Sequence, residues 1–183
     1  MTLIEKARLL AEIIAWRLRW DRHDLDYRPG DTDCEKIVSA RQAAAKVPDG
    51  ATVISSGMAG NSRCSVFFWA IRERFEASGH PRDLTWVSVG GQGGRGKAPG
   101  SVEEVGLPGL VSCYISGHVE TTRSLLRMAE AGQMDLHVMP QGEMTELIAR
   151  QARGEFTVRS RTGLDTFLDP RLDGGTAIVS HDG

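Results

Sequence analysis

The strongest candidate for ligand contact is the stretch LHVMPQGEMTEL, residues 136–147. Its apolar start predicts a strand, which Pro140 ends because proline has no amide hydrogen to continue a ladder. A helical pattern, predicted from Glu143 to Arg153, follows at once. Gln141 and Gly142 therefore lie at a strand-to-helix junction, where Gln141 offers amide donors and Gly142 would let the backbone approach a ligand closely. A short connecting loop that binds no ligand would have the same sequence pattern, so this stretch alone does not distinguish a binding site from a plain connection.

A second candidate is the glycine-dense stretch GGQGGRGKAPG, residues 90–100, which follows a predicted strand. It does not match the P-loop pattern, because Lys97 is followed by alanine rather than serine or threonine. A G-x-G-x-x-G can be drawn from Gly91, but no helix opens after it. A glycine loop without a specific ligand is an equally good interpretation, although Arg95 and Lys97 favour an anionic group nearby.

Histidines give weaker signals. His118 follows a strand with Glu120 two residues later, so it could act as a general base, but a hydrogen-bonded structural role is more common for a histidine that closes such a loop. His137 lies in an apolar strand and is predicted to be in the core. No two histidines have metal-ligand spacing, so we expect no metal site. The G-x-S-x-G pattern of serine hydrolases does not occur either.

The elements that would position these residues alternate between short apolar strands and helices. The predicted strands are Thr52–Ser55, Leu84–Val89, Leu110–Ile115 and Asp135–Met139. The predicted helices are Ala40–Lys46 with Ser39 as its cap, about Cys64 to Ser78, and a helix capped by Thr121 or Thr122 that runs through Ala131. This alternation predicts an α/β fold of parallel βαβ units. The loops after the strands would then gather at one edge of the sheet, where open α/β folds bind ligands.

The N-terminal region has a different pattern. Residues 1–24 predict a helix with a wide apolar face, which we expect to pack on its own domain or on a second subunit rather than on a membrane surface. The polar stretch from Leu25 to Asp33 predicts a linker. The expected organisation is an N-terminal helix and linker over residues 1–33, followed by one α/β domain over residues 34–183.

Composition narrows the function classes. A net charge of -2 and a pI near 6.2 give no reason to expect nucleic acid or an anionic membrane as a partner. Three widely spaced cysteines form neither a zinc pattern nor a disulfide framework, which favours a reducing, cytoplasmic location. No signal peptide is expected, and no segment approaches the ~18 apolar residues that a membrane span needs.

In combination, these segments resemble the α-type half of family I coenzyme A transferases of the acetate and propionate type. The resemblance rests on VPDGATVISSG, GHPRDLTWVSVGGQG, VEEVGLPGLVSCYISGHVETTRSL, MPQGEMTELIARQARG and RTGLDTFLDPRLDGG, in that order. It implies a three-layer, open, mostly parallel sheet with helices on both faces, as in these transferases and in sugar-phosphate isomerases. The N-terminal helix would be an addition to that fold. The chain ends soon after DPRLDGG, so the last strands are expected to be missing or supplied by another polypeptide.

The resemblance also implies a reaction in which CoA moves from an acyl-CoA to a small carboxylic acid. The CoA thioester is then a substrate, and no tightly bound cofactor is expected. In the family, a glutamate in a Ser-Glu-Asn-Gly-like motif of the β-type half attacks the thioester. None of the twelve glutamates of this chain lies in such a motif. The chain is therefore expected to be inactive alone and to need a β-type subunit as its partner.

The substrate-binding residues implied by the resemblance are spread over the four loops that follow the strands. They are Gly57, Met58, Gly60, Asn61, Gly91, Gln92, Gly93, Gly117, His118, Gln141 and Gly142. This chain departs from the family pattern at Met58, where an aromatic residue is usual, and near Arg63, where a proline is expected. Glu120 would repel an anionic acceptor unless it points away. The acyl group and the acceptor acid therefore stay open.

Two other functions remain possible from the sequence. The same superfamily includes sugar-phosphate isomerases and the effector domains of sugar-responsive repressors, so a non-catalytic ligand-binding module is one alternative. A CoA-thioester hydrolase, with water as the acceptor, is the other. The DPRLDGG segment and the Pro-Gln-Gly junction favour the transferase.

Overall fold

The computed structural model describes residues 2–19, 23–30, 34–57, 63–94 and 99–172. Its helices are α1 (Leu3–Arg19), α2 (Ala40–Ala45), α3 (Ser65–Ser78), α4 (Arg123–Glu130) and α5 (Gln141–Gln151). Its strands are β1 (Thr52–Ser55), β2 (Leu84–Ser88), β3 (Val111–Ser116) and β4 (Asp135–Val138), and short 3₁₀ turns cover Val102–Val105 and Pro170–Leu172. The predicted α/β alternation is confirmed, and each predicted strand matches the observed one to within one residue at either end.

The four strands are all parallel and lie side by side in the order β1-β2-β3-β4. One row of paired residues crosses the sheet through Val53, Trp86, Tyr114 and Leu136. Trp86 and Tyr114 have no exposed surface and lie in the main hydrophobic core. Because parallel strands end at the same edge, the loops after β1 to β4 share one edge of this sheet, as the sequence predicts.

Helices cover the face of the sheet that carries Trp86. Phe68 and Ile71 of α3 and Leu125 of α4 are fully buried in the same cluster. On the opposite face the next row runs through Ile54, Val87, Ile115 and His137. Ile54 there is 53% exposed, so this face is more open than the core face.

Before β1, α2 starts with a complete capping box. The Ser39 hydroxyl accepts from the Gln42 amide at 3.2 Å, and the Gln42 side chain accepts from the Ser39 amide at 3.1 Å. This confirms Ser39 as the predicted cap.

The N-terminal helix is described over Leu3–Arg19, and residues 20–22 of the predicted helix lie outside the described ranges. The described apolar side chains of this helix are largely exposed and do not pack on the domain: Leu3, Ile4 and Leu18 are between 73% and 84% exposed. The expectation that this helix packs on its own domain is therefore wrong for the described part. A second subunit as its partner stays a prediction. In the described ranges, no helix is long and apolar enough to cross a membrane.

The segment after α1 also differs from the linker that its composition predicts. His23 stacks on Trp69 of α3, with ring centroids 4.1 Å apart and planes 5° from parallel. Leu25 is buried in the core, and its carbonyl accepts a hydrogen bond from the Arg41 amide at 3.0 Å. The stacked His23 and the buried Leu25 dock this segment on the domain, and a composition average does not reveal such single contacts. Residues 31–33 lie outside the described ranges.

Candidate functional site

The loops after the strands touch one another at the carboxyl edge of the sheet. A Cβ atom added at Gly90, after β2, would lie 2.7 Å from the carbonyl oxygen of Gly57, after β1. One added at Gly91 would lie 2.3 Å from Cδ2 of His118, after β3. Real Cβ atoms do not approach other atoms this closely, so a side chain at either position would require the Gly57 backbone or the His118 ring to move. The first three loops are therefore in direct contact through backbone that lacks side chains.

The fourth loop joins them through Gln141. A Cβ atom at Gly117 would lie 2.2 Å from Cγ of Gln141 and 2.8 Å from the Val89 carbonyl oxygen. Of the predicted site residues, the structure thus gathers Gly57, Gly91, Gly117, His118 and Gln141 at one edge. Three more, Met58, Gly60 and Asn61, lie outside the described residues. So do Arg95 and Lys97, the two basic residues of the glycine-dense loop.

Gln141 is the first residue of α5, two residues earlier than the sequence predicts. Pro140 occupies the cap position with φ -58°, a value that its ring favours, and its carbonyl accepts the first helical hydrogen bond from Met144 at 3.0 Å. The amide groups of the first turn consequently point out of the helix end, where the helix dipole is positive. The Gln141 side chain is exposed and makes no hydrogen bond to the described residues. This end of α5 can present a carboxamide and backbone amides to an anionic or carbonyl oxygen.

Gly142 has open space around it. No atom lies within 4 Å of a Cβ atom built there, so protein packing does not require glycine at this position. That leaves room for a ligand beside the first turn of α5.

Gln92, which the resemblance places among the substrate-binding residues, is buried inside the protein. It has no exposed surface, and its Oε1 accepts hydrogen bonds from Ser55 Oγ at 2.6 Å and Ser88 Oγ at 3.1 Å. Ser55 Oγ in turn accepts from Nε1 of Trp86 at 2.9 Å. The side chain therefore ties the ends of β1 and β2 together inside the protein, rather than extending toward a substrate. Its Nε2 has no hydrogen-bond partner in the described part of the chain.

The serines that hold Gln92 are not among the residues predicted from the sequence. Ser55, Ser88 and Ser116 are buried, and each is the last residue of its strand. They are also paired with one another across the sheet. The sequence pattern that could have indicated them is that three apolar strands all end in serine. This polar row accounts for the burial of Gln92, because a buried carboxamide needs hydrogen-bonding partners.

The loop residues on either side of Gln92 are also buried. Gly91 packs under the His118 ring, and a Cβ atom at Gly93 would lie 2.0 Å from the Thr121 carbonyl oxygen. The glycine-dense loop thus supports the turn from His118 to Thr121 from beneath. His118 itself is half-buried, and its amide donates to Ser116 Oγ at 3.2 Å. Glu120 is exposed.

The cap residue of α4 is one of the two predicted threonines, but its side chain does not make the capping hydrogen bond. Thr122 occupies the cap position, but its hydroxyl donates to the Val119 carbonyl at 2.7 Å and makes no capping bond. Instead, the Glu103 carboxylate accepts from the amides of Arg123 and Ser124, both at 2.8 Å. A carboxylate at a helix N-terminus is favoured by the dipole. Since Glu103 is some twenty residues away in sequence, no local pattern could reveal it.

The burial of the described cysteines near the first loop and in β3 argues against a cysteine nucleophile there. Burial raises the pKa of the Cys64 thiol and so favours its neutral form. Burial also raises the pKa of Cys113, with a further contribution from Asp135. Arg63, next to Cys64, has its pKa lowered by burial. Within the described ranges, no three histidine, cysteine or acidic side chains are grouped so that they could hold a metal ion.

His137, predicted to be in the core, is half-buried on the more open face of the sheet. It lines a cavity of about 540 Å³ together with Leu147 of α5 and Phe156. The histidine belongs to an edge strand, and alternation along β4 turns it away from the core that receives Leu136.

Comparison with known proteins identifies relatives of one kind. The chain is 34% identical over 140 residues to a caffeate CoA-transferase of Acetobacterium woodii. It is 28% identical over 140 residues to the acetate CoA-transferase YdiF of Escherichia coli K12. Each match covers 76% of this chain and 26% of the relative, so the chain spans about a quarter of the length of these relatives. No protein-family profile matches the chain.

Solved structures of CoA-transferases also resemble the chain. An acyl-CoA transferase from E. coli O157:H7, YdiF, in a thioester complex with CoA superposes with a TM-score of 0.71 at 27% identity, over 75% of this chain and 28% of that chain. The YdiF apoenzyme gives a TM-score of 0.73 at 26% identity, over 81% and 29% of the two chains. The decarboxylase AibA/AibB shares the fold alone, with a TM-score of 0.50 at 15% identity over 64% of this chain and 43% of that one. The fold by itself therefore does not determine the reaction.

Proposed function

We propose that this chain, a relative of the family I CoA-transferases over 140 of its residues, forms the α-type part of an enzyme that moves CoA between carboxylic acids. The donor is an acyl-CoA, the acceptor is a small carboxylic acid, and the remainder of the active site belongs to a β-type polypeptide. The observation that carries this proposal is the meeting of four strand-end loops at the exposed start of α5. The relation to CoA-transferases supplies the reaction class.

The reaction requires a nucleophile that this chain is not expected to provide. A glutamate carboxylate of the β-type half attacks the acyl-CoA carbonyl and expels the CoA thiolate, which leaves an acyl–glutamyl anhydride. The thiolate then attacks the glutamyl carbonyl and releases the first carboxylic acid, so that CoA is held as a glutamyl thioester. The acceptor carboxylate then attacks the glutamyl thioester and expels the CoA thiolate, which leaves a second anhydride. The thiolate attacks the acyl carbonyl of this anhydride, so that the acceptor leaves as its acyl-CoA and the glutamate is restored. Each step of this sequence is an exchange at a carbonyl carbon that passes through a tetrahedral oxyanion.

This chain would stabilise those oxyanions. The carboxamide of Gln141 is exposed and has no hydrogen-bond partner among the described residues, so its donors are available. The free amides of the first turn of α5 lie beside it, and Gly142 leaves space for an acyl group to come close. Donors that are fixed before the reaction stabilise charge without reorganising as it develops.

The neighbouring loops would hold that arrangement in place. Gly117 contacts Gln141 directly, and Gly91 supports His118. Together with Gly57 of the first loop, these residues would form the wall on which the acyl group rests. His118 would line this wall, and its half-buried ring is oriented by its contact with Gly91.

The test is co-expression of the chain with a neighbouring polypeptide that contains a Ser-Glu-Asn-Gly-like motif. The purified complex is assayed for exchange of CoA between several acyl-CoAs and labelled acetate. CoA transfer to labelled acetate supports the proposal. Hydrolysis of the acyl-CoA to free CoA, without transfer to acetate, would show that the complex is a hydrolase instead. A complex that binds sugar phosphates and transfers no CoA would overturn the proposal in favour of a ligand-binding module.

A further inference from the structure

Glu104 is a buried acidic residue that lies outside the site described above, in the 3₁₀ turn Val102–Val105. Only 7% of its surface is exposed. Its Oε1 accepts hydrogen bonds from the Gly100 amide and from Nε1 of Trp69, both at 2.9 Å. Its Oε2 accepts from Nη1 of Arg72 at 2.5 Å. Three donors, one of them cationic, compensate the loss of water around this carboxylate.

Gly100, the last residue of the glycine-dense loop, is held from two sides. Besides its amide bond to Glu104, its carbonyl accepts from Ser65 Oγ at 2.5 Å. Its φ of +67° suits glycine, and an added Cβ atom would lie 2.7 Å from Cβ of Ser65 and 3.1 Å from the Trp69 ring. The end of the loop is therefore fixed to the start of α3, and Glu104 supplies the contact that holds its backbone amide.

The beginning of the loop is held by Gln92. Its side chain is tied to Ser55 and Ser88, and its carbonyl accepts from the Val102 amide at 3.2 Å. The two ends of the loop are thus held next to each other, one by the buried side chain of Gln92 and the other by that of Glu104. A stretch so rich in glycine has many backbone conformations open to it, so the anchors at Gln92 and Gly100 are what restrict its two ends.

We propose that Glu104 is a positioning residue, which fixes the glycine-dense loop and through it the turn from His118 to Thr121. The described contacts run from Glu104 to Gly100, and from the turn that carries Glu104 to Gln92 through the bond between the Val102 amide and the Gln92 carbonyl. Gly91 and Gly93, on either side of Gln92, in turn contact His118 and Thr121. Glu104 does not touch the substrate. Its effect on catalysis rests on the proposed function, whereas its effect on the loop does not.

The loop can be tested without any assay of activity. Trypsin cleaves after Arg95 and Lys97 in this loop, and after the exposed Arg153 at the end of α5, which serves as an internal reference. The change Glu104→Gln keeps the shape of the side chain but replaces one acceptor oxygen with an NH₂ group that faces donors. Glu76→Gln is the matched control, because Glu76 also binds Arg72, at 2.9 Å, but lies on the surface of α3.

For Glu104→Gln we expect cleavage after Arg95 and Lys97 to accelerate about tenfold relative to cleavage after Arg153, since proteolysis follows the population of locally open forms. Glu76→Gln should leave this ratio unchanged. Trp69→Phe, which removes one donor, should give a smaller increase. An unchanged ratio in Glu104→Gln would overturn the proposal. So would a parallel rise at all three sites, because that would indicate global destabilisation.

The link to catalysis is tested on the complex with the β-type polypeptide. Glu104→Gln should raise the KM for acyl-CoA about tenfold with a smaller change in kcat, because a displaced wall weakens binding in the ground state and the transition state alike. Glu76→Gln should match the wild type. A faster-cleaved loop with unchanged KM would overturn the proposed link to the site. If the wild-type complex transfers no CoA, the proposed function fails, while the trypsin ratio still decides the role of Glu104 in the loop.

Discussion

Gly117 and Gln141 are in direct contact, because a Cβ atom at Gly117 would lie 2.2 Å from Cγ of Gln141. Gly117 follows β3 and Gln141 opens α5. The contact therefore fixes the start of α5 against the neighbouring strand end, and so fixes the direction in which its free amides and its carboxamide point. The Val89 carbonyl, 2.8 Å from the same Cβ position, closes the other side of Gly117.

Gly117→Ala should displace α5 or the β3 loop, because neither Gln141 Cγ nor a backbone carbonyl can accept the new methyl group. We expect a loss of about 1–3 kcal/mol in the free energy of unfolding. In the assembled enzyme, kcat/KM should fall at least about tenfold, since small misplacements of positioning groups are costly. Urea unfolding and CoA-exchange kinetics measure the two effects. Gly30→Ala, where no atom lies within 4 Å of the Cβ position, is the control and should change neither.

Gly142→Ala should separate stability from activity. Alanine is the better helix former by about 0.5–1 kcal/mol, and the open space around Gly142 should allow this gain to appear in urea unfolding. If an acyl group approaches this position, the same methyl group should raise the KM for acyl-CoA. A more stable protein with unaltered kinetics would exclude Gly142 from the site.

Gln141→Ala should lower kcat by roughly ten- to a thousandfold, the range expected when one oriented donor to an oxyanion is lost. Because the side chain is exposed, the free energy of unfolding should change by no more than about 0.5 kcal/mol. Gln151→Ala, at the other end of α5 and also exposed, is the matched control. Equal kinetics for the two variants would remove Gln141 from the chemistry.

Glu103→Gln should weaken the start of α4. Glu103 accepts from the amides of Arg123 and Ser124, and its charge favours the positive end of the helix. We expect a loss of about 0.5–2 kcal/mol in the free energy of unfolding. Glu130→Gln removes the same charge from the last residue of α4, where the dipole is unfavourable to it, and should be neutral or slightly stabilising. Similar losses in both variants would show that the position of the charge is irrelevant.

Asp169 predicts a pH dependence. Hydrogen bonds from the Arg171 side chain, followed by one from the Asp165 amide, hold the pKa of this buried carboxyl well below its usual range. A depressed pKa in the folded state means that Asp169 stabilises the fold fully above the ordinary aspartate pKa of about 3.9. This stabilisation is lost progressively as the pH falls below that value. Urea unfolding between pH 7 and pH 3 should show the loss, and Asp169→Asn should reduce the slope of stability against pH. An identical slope in the variant would assign the acid sensitivity to other groups.

The strands, and the gathering of the loops that follow them at one edge, could be predicted because each strand is a short apolar run, ended by a polar or turn residue. The contacts of Gln92 could not, because they depend on serines from two strands that meet only after the sheet forms. Glu103 was missed for the same reason, since it caps a helix that starts about twenty residues later in the chain.

The N-terminal segment shows a different limit of prediction from sequence. Hydrophobic periodicity correctly predicts α1, yet it does not show which surface the apolar face contacts, and in the structure Leu3 and Ile4 are exposed. Leu25 shows the reverse, because one buried leucine docks a stretch that is polar on average.

The proposed function requires that this chain form one wall of a CoA-transferase site and take its nucleophilic glutamate from another polypeptide. The most direct measurement is CoA exchange from an acyl-CoA to labelled acetate, with the purified chain alone and with the chain mixed with a β-type polypeptide. We expect no exchange above background for the chain alone. The mixture should exchange CoA, and hydroxylamine should trap the glutamyl thioester as a modified glutamate of the β-type polypeptide. Exchange by the chain alone, or a modified glutamate among its own twelve, would contradict the proposed function.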